Sequence, residues 1–218
     1  MLKRQVRALL VEANFAGVAE VVRERRRALG SLVALTFDRD PEIGWRAVEA
    51  MGVASAAIAD EDPDAVRELL RRLVWLLSEE SGGVCWRAPE AMAEIVHRRP
   101  DLFADFVPIV VHLLQETAEE DLVHFRAGIL WAIGRLGAVA VPHVEALVRA
   151  IVVALEHPDP QVRGMAVWAL GQIGCRDVLA ERPKLVDDHA RVEWYEGGAL
   201  TERTVAVIAR RALGAPVT

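Results

Sequence analysis

The sequence predicts an all-α fold, a two-helix-repeat superhelix of about five helical pairs ending in a small C-terminal β-hairpin. An arginine recurs near the start of five similar helical stretches. They read Trp45-Arg46-Ala47, Trp86-Arg87-Ala88, Phe125-Arg126-Ala127, Val162-Arg163-Gly164 and Glu202-Arg203-Thr204. The arginines stand 41, 39, 37 and 40 residues apart. A period near 40 residues with helical content marks a solenoid of helix pairs, each burying its neighbour's apolar face. The hairpin rests on a second signal. Gly197-Gly198 separates two short runs, the first holding the strand formers Val192, Trp194 and Tyr195.

The elements follow in order. Residues 2–13 are amphipathic and read as an N-terminal cap helix within residues 1–16. A second helix is expected over about 17–37, with a kink at Gly30. Asp38-Arg39-Asp40-Pro41 breaks it and opens the helix of about 42–58, since proline is tolerated in a first turn where its missing N–H has no partner. Asp60 to Asp64, with Pro63, opens a helix to about 79, and Gly82-Gly83 separates it from the helix carrying Arg87. Pro100-Asp101 opens another to about 116. An acidic stretch, Glu116 to Asp121, precedes the helix carrying Arg126, which closes at Gly137. Residues 140–156 form the next helix. His157-Pro158-Asp159-Pro160 leads into the helix carrying Arg163, closed by Gly174, a residue suited to the left-handed conformation that ends helices. Repeats thus occupy 17–174. Residues 175–218 hold a degenerate terminal repeat with the hairpin and a helix over 203–213. The whole chain, 1–218, reads as one repeat domain.

Composition narrows the function classes. Hydrophobic residues are 53% and charged residues 27% of the 218, which is the balance of a chain that folds throughout. The net charge of −6 and pI near 5.6 argue against a general phosphate-backbone binder. The run Arg23 to Arg27 reads as the solvated face of a helix whose buried stripe is Val21, Val22, Leu29, Leu32 and Val33. Cys85 and Cys175 occupy unrelated repeat positions, so reduced thiols in a cytoplasmic protein are expected. The N-terminus does not resemble a signal peptide, and no apolar run approaches bilayer-spanning length.

The stretch Val162 to Gly174, VRGMAVWALGQIG, resembles the second helix of a HEAT repeat, in the short HEAT-like type of phycobilisome-lyase-related proteins. Phe125 to Gly137 is nearly as similar; Trp45 to Ala57, Trp86 to Arg98 and Glu202 to Gly214 are weaker copies. This resemblance implies a solenoid whose second helices line a concave side and whose recurring arginines are structural, pairing with acidic groups in the preceding turn. It is specific for fold and silent on activity. In the fourth copy, offsets −1, +3, +6, +7 and +10 from the arginine give Val162, Ala166, Ala169, Leu170 and Ile173, one apolar helix face.

The opposite face departs from the family pattern, which places polar residues at offsets +1, +5 and +9. Offset +5 is Met51, Met92, Trp131, Trp168 and Ile208, set among residues at +1 and +8 that are small in most copies (Ile95 and Arg211 at +8 are not), with Ser55, Arg135 and Gln172 at +9. An exposed stripe of this kind marks a binding site, and tryptophan and arginine are favoured anchors. Met51, Met92, Trp131, Arg135, Trp168 and Gln172 are therefore the candidate partner-binding residues, forming a groove for a protein or peptide. The alternative stays open that the N-terminal helix, the hairpin or strong curvature covers the stripe. On the hairpin, Trp194 and Tyr195 are adjacent and face opposite ways, so one is expected to pack on the last helix and the other to be exposed.

Catalytic signatures were sought. The six histidines show no i, i+3 or i+4 spacing, and the His-Glu dipeptides of HEAT-like deoxyhypusine hydroxylases do not occur. No nucleotide-binding or nucleophile-elbow motif is present. Neither cysteine has a base placed beside it by sequence. No catalytic, cofactor or metal residue is assigned. The expected function is a non-enzymatic protein-interaction scaffold working through the concave face, without membrane or nucleic-acid partners. The alternative is an enzyme or cofactor-handling protein, resembling a bilin lyase or a HEAT-like DNA glycosylase, using the same groove.

Overall fold

The structure is a computed structural model that describes residues 1–77, 87–116 and 123–214, with only the backbone for His124, Val144 and Ala146. Cys85, Trp86, Gly82-Gly83, Glu79-Glu80 and most of the acidic stretch after Glu116 lie outside the described residues. The chain divides into two compact units, one of residues 1–106 with 195–200 and one of 107–194 with 201–218.

The first unit begins with α1 (Leu2–Val11), α2 (Phe15–Glu24) and α3 (Ala28–Leu35). The single helix expected over 17–37 is interrupted at Arg25, not kinked at Gly30. Arg26 explains the break. Its guanidinium donates to the carbonyls of Val22 (2.9 Å) and Arg23 (2.7 Å), the last-turn acceptors that a continuing helix would have satisfied. It also pairs with Asp62 at 3.1 Å. Part of the basic run is thus engaged with the fold.

Next come α4 (Pro41–Ile58), α5 (Pro63–Trp75), α6 (Ala88–Arg98), α7 (Pro100–Phe103) and a 3-10 turn, Ala104–Phe106. Asp40 caps α4 through the Glu42 N–H and Asp62 caps α5 through the Ala65 N–H, at 3.0 and 3.1 Å, each worth about 1 kcal/mol. Helix α4 packs on both α2 and α6. Its apolar positions Ile43, Val48, Met51 and Ile58 are consequently buried.

The second unit contains α8 (Val107–Glu116), α9 (Val123–Leu136), a 3-10 segment (Gly137–His143), α10 (Val144–Ala154), α11 (Pro160–Gln172), α12 (Arg176–Ala180), a 3-10 turn (Pro183–Asp187), β1 (Arg191–Glu196), β2 (Ala199–Thr204) and α13 (Val205–Ala212). Helix α11 packs between α9 and α13, and Asp159 caps it through the Gln161 N–H at 2.7 Å. Gly174, at φ +85°, ends this repeat in the left-handed region. Residues 125–143 are long and apolar enough to cross a membrane by length and composition. Yet 67% of an 18-residue stretch within them is buried inside the protein, as in the core helix of a packed unit.

Strands β1 and β2 form the two-stranded sheet. Gly197 and Gly198 both have positive φ, +58° and +80°, as a two-residue type I′ turn requires. That turn sets Glu196 opposite Ala199 and Trp194 opposite Thr201, whose hydroxyl donates to the Trp194 carbonyl at 3.2 Å. Thr204 ends β2 and caps α13 through the Val207 N–H. The fold is all-α with a small C-terminal hairpin.

Candidate functional site

The recurring arginines are wired into the backbone. Arg46 donates to the carbonyls of Gly198 (2.7 Å), Val11 (2.9 Å) and Leu10 (3.1 Å) and pairs with Glu42. Arg163 donates to the carbonyls of His157 and Pro158, both at 2.8 Å, and pairs with Asp188 at 2.8 Å. Fixing several main-chain carbonyls at once suits the planar, five-donor guanidinium. Arg87 differs. It is the N-cap residue of α6 and lies over the Trp45 ring at 4.3 Å.

The stripe at offset +5 is largely interior. Met51 and Met92 have no exposed surface, and Trp131 retains 7%. Trp168 is half-buried, Arg135 is half-buried and Gln172 is exposed. The small residues beside the stripe supply the reason. A Cβ on Gly134 would lie 2.2 Å from Nε1 of Trp168, so the indole of α11 occupies the notch that a glycine leaves on α9. A Cβ on Gly164 would meet Val192 of β1 at 2.8 Å, and one on Gly171 would meet Ala212 of α13 at 2.7 Å. Large and small residues interlock between successive second helices, so burial against the next repeat accounts for the apolar stripe here.

The hairpin completes this packing. The rings of Trp168 and Trp194 meet edge to face, 5.1 Å between centroids at 89°. Trp194 is 3% exposed, and Arg203 lies over its ring at 4.9 Å. Tyr195, on the other face of β1, is also buried; it stacks on Trp45 at 5.3 Å and 8°. Neither aromatic is left exposed, contrary to the expectation for one of them. Gln161 covers the β1 edge at Glu193: its amide donates to the Glu193 carbonyl at 3.0 Å and accepts from the Glu193 N–H at 2.8 Å.

At the rim of this packing the second unit has a cleft of about 60 Å³. Its lining includes Trp168, Gln172, Arg176, Trp194, Arg203 and Arg211. Two residues of the sequence-derived set, Trp168 and Gln172, therefore meet in one concavity, joined by three arginines that the stripe did not reveal. These come from α12, β2 and α13, and only their convergence in space marks them.

The first unit holds a second group that sequence reasoning missed. The Tyr195 hydroxyl donates to Oε2 of Glu49 at 2.6 Å. Arg98 stands 3.8 Å from Glu49 and 2.9 Å from Glu94. Burial, reinforced by Glu49, holds the Tyr195 phenol well above the usual tyrosine range. Glu90 is 3% exposed, and its Oε2 has no hydrogen-bond partner. Burial pushes its carboxyl up to about 7, against the opposing pull of Arg87 at 3.9 Å. The paired acids of α6 act here as internal struts to Arg87 and Arg98. Cys175 is half-buried, and burial with nearby Asp177 pushes its thiol up, away from the nucleophilic thiolate. Among the described residues, no group of histidine, cysteine and carboxylates has metal-binding proximity.

Residues 124–173, spanning α9 to α11, match the HEAT-like repeat family. An uncharacterized protein of Archaeoglobus fulgidus is 28% identical over 174 residues, covering 78% of this chain and 86% of that one. The crystal structure of an engineered protein is similar with a TM-score of 0.52 and 21% identity, over 97% of this chain and 88% of that chain. An archaeal HEAT-like repeats protein from Thermococcus onnurineus NA1 is more distant, at TM-score 0.39 and 14% identity, over 97% of this chain and 95% of the other. Residues 124–173 thus resemble a HEAT-like repeat, and the chain's helical fold is similar to that of the engineered protein.

Proposed function

We propose that this protein is a non-enzymatic interaction module that binds a polypeptide at the edge of its second-helix face in the second unit. Trp168 carries the reading. It is the member of the +5 series that remains partly open, and it borders a cleft beside exposed Gln172. An aromatic wall seated on a rigid helix, with a polar neighbour, is the usual composition of a binding hot spot. Arg135, half-buried on α9 next to the Gly134 notch, extends the surface. Trp131, buried on α9 of the same unit, supports it from within, since packed side chains stiffen the scaffold without touching a ligand. HEAT-like repeat proteins generally mediate protein interactions, which favours the same class.

A photo-crosslinking residue at Gln172 tests this, with Val153, 72% exposed on the same unit, as control position. Discrete polypeptide adducts at position 172 and none at 153 are expected in the native host. Absence of adducts at 172, or identical adducts at both, would overturn the proposal.

A further inference from the structure

We infer that a groove between α3 and α5 of the first unit docks an acidic segment of a protein partner, with an apolar side chain on the groove floor and carboxylates on Arg27 and Arg72. This surface is additional to the one around Trp168 and stands or falls independently of it.

The groove follows from helix periodicity. Ala65, Leu69 and Arg72 are at positions i, i+4 and i+7 of α5 and so share one face. Arg27, Leu29 and Gly30, at the start of α3, line the other side. Both helices pack on α4, and the depression between them measures about 350 Å³. Ligand-binding clefts start near this size, at roughly 300 Å³. Leu29 and Leu69, 6% and 5% exposed, form an apolar floor. Arg26 fixes the two walls: it donates to the Val22 carbonyl at the end of α2 and to Asp62, the residue that caps α5. The groove is therefore set before any partner arrives.

Charge selects the occupant. Among the described residues, neither the Arg27 nor the Arg72 guanidinium has a hydrogen bond or ion pair, and both residues are exposed. The other charged groups of the described lining are engaged. Arg26 pairs with Asp62 at 3.1 Å and Glu61 at 3.6 Å, and Glu68 pairs with Arg71 at 3.3 Å. Two guanidiniums are what the groove has left to offer, and carboxylates complement them.

Gly30 gives Arg72 its position. Glycine is a poor helix former, yet it stands inside α3. A Cβ there would come 3.3 Å from Nη1 of Arg72. The missing side chain lets this guanidinium reach across the groove and rest against α3. An apolar floor between two cations matches a short segment with an apolar residue between acidic ones. A nucleic acid calls for a longer row of cations and for aromatic platforms.

Fluorescence anisotropy of the full chain tests this, with labelled peptides whose central leucine is flanked by glutamate, glutamine or lysine. Saturable binding of the glutamate peptide alone is expected, and serine in place of its leucine should weaken it at least about fivefold. Arg27→Glu and Arg72→Glu should each weaken it at least about tenfold. Arg149→Glu, the same change at an exposed position of the second unit, should leave it within about twofold. Thermal melts verify folding, and Arg27→Gln and Arg72→Gln, which should also lose affinity, replace any reversal variant that melts early. Equal binding of the glutamine peptide, or equal loss in Arg149→Glu, overturns the proposal. So does displacement by inorganic phosphate at concentrations matching the peptide, or tighter capture of a single-stranded oligonucleotide through the same two arginines. Trp168→Leu should leave peptide affinity within about twofold; a loss equal to that of Arg72→Glu would also sink the groove assignment.

Discussion

Trp168 fills the space that a side chain on Gly134 would occupy: an added Cβ would come within 2.2 Å of the indole Nε1 and 2.3 Å of Cδ1. Gly134→Ala gains up to about 1 kcal/mol of helix propensity. It must also displace a packed indole, an overpacking cost of about 1–3 kcal/mol. A net loss of stability is expected in denaturant titrations. Adding Trp168→Leu should recover part of it, because the pair shares one volume. Strict additivity of the two substitutions would refute the interlock.

Tyr195 is the sole tyrosine, so tyrosinate absorbance reports this group alone. Its phenol is buried and donates to Glu49 at 2.6 Å. An alkaline titration should show no ionisation through the ordinary range near 10, and a rise only as the first unit opens. Tyr195→Phe should destabilise by about 1.5–3 kcal/mol, as expected for a hydrogen bond to a charged acceptor. A normal titration in the folded protein would contradict the burial described.

Glu90 makes stability depend on pH with a definite sign. Its folded pKa of about 7 lies above the ordinary 4.5. The folded state therefore holds the proton more tightly than the unfolded chain. The resulting stabilisation is complete below about 4.5, falls as pH rises through 7, and is gone above. The shift corresponds to about 3 kcal/mol at most. Glu90→Gln should match wild type near pH 4 and exceed it progressively toward pH 8. Parallel stability profiles for the two proteins would count against it.

Arg46 ties three carbonyls to one guanidinium. Arg46→Lys keeps the charge and loses the fork. It should cost most of what Arg46→Ala costs, about 1–3 kcal/mol, because a single ammonium cannot reach all three carbonyls that the fork spans. Full rescue by lysine in thermal melts would show that charge alone suffices.

Much of the fold was legible where local chemistry decides. Asp40-Pro41, Asp62-Pro63 and Asp159-Pro160 announce helix starts, and Gly197-Gly198 announces the turn between two strands. The break at Arg25 was hidden because Arg26 draws on Asp62, a partner 36 residues away. The +5 stripe was visible as a pattern, but periodicity reports one helix at a time. Whether a face meets solvent or the next repeat depends on residues such as Gly134, Val192 and Ala212 that come from other elements. The arginine cleft was illegible for the same reason, since Arg176, Arg203 and Arg211 share no sequence spacing tied to a motif. Glu49 and Tyr195 are 146 residues apart, and no pattern within one repeat links them.

Helical repeats ordinarily gain their structure from near neighbours, one pair after another. Here the first unit is completed by residues 195–200, and the Arg46 to Gly198 bond spans 152 residues. A nascent chain therefore lacks the Gly198 partner of Arg46 and the Tyr195 partner of Glu49 and Trp45 until residues 195–200 are made. Residues 1–106 must wait for that segment, and the closure is long-range, slow by the standards of local helix stacking. Ribosome-bound chains truncated before Tyr195 should thus be protease-sensitive within residues 1–106, an inversion of the usual order in which a segment made earlier is protected earlier.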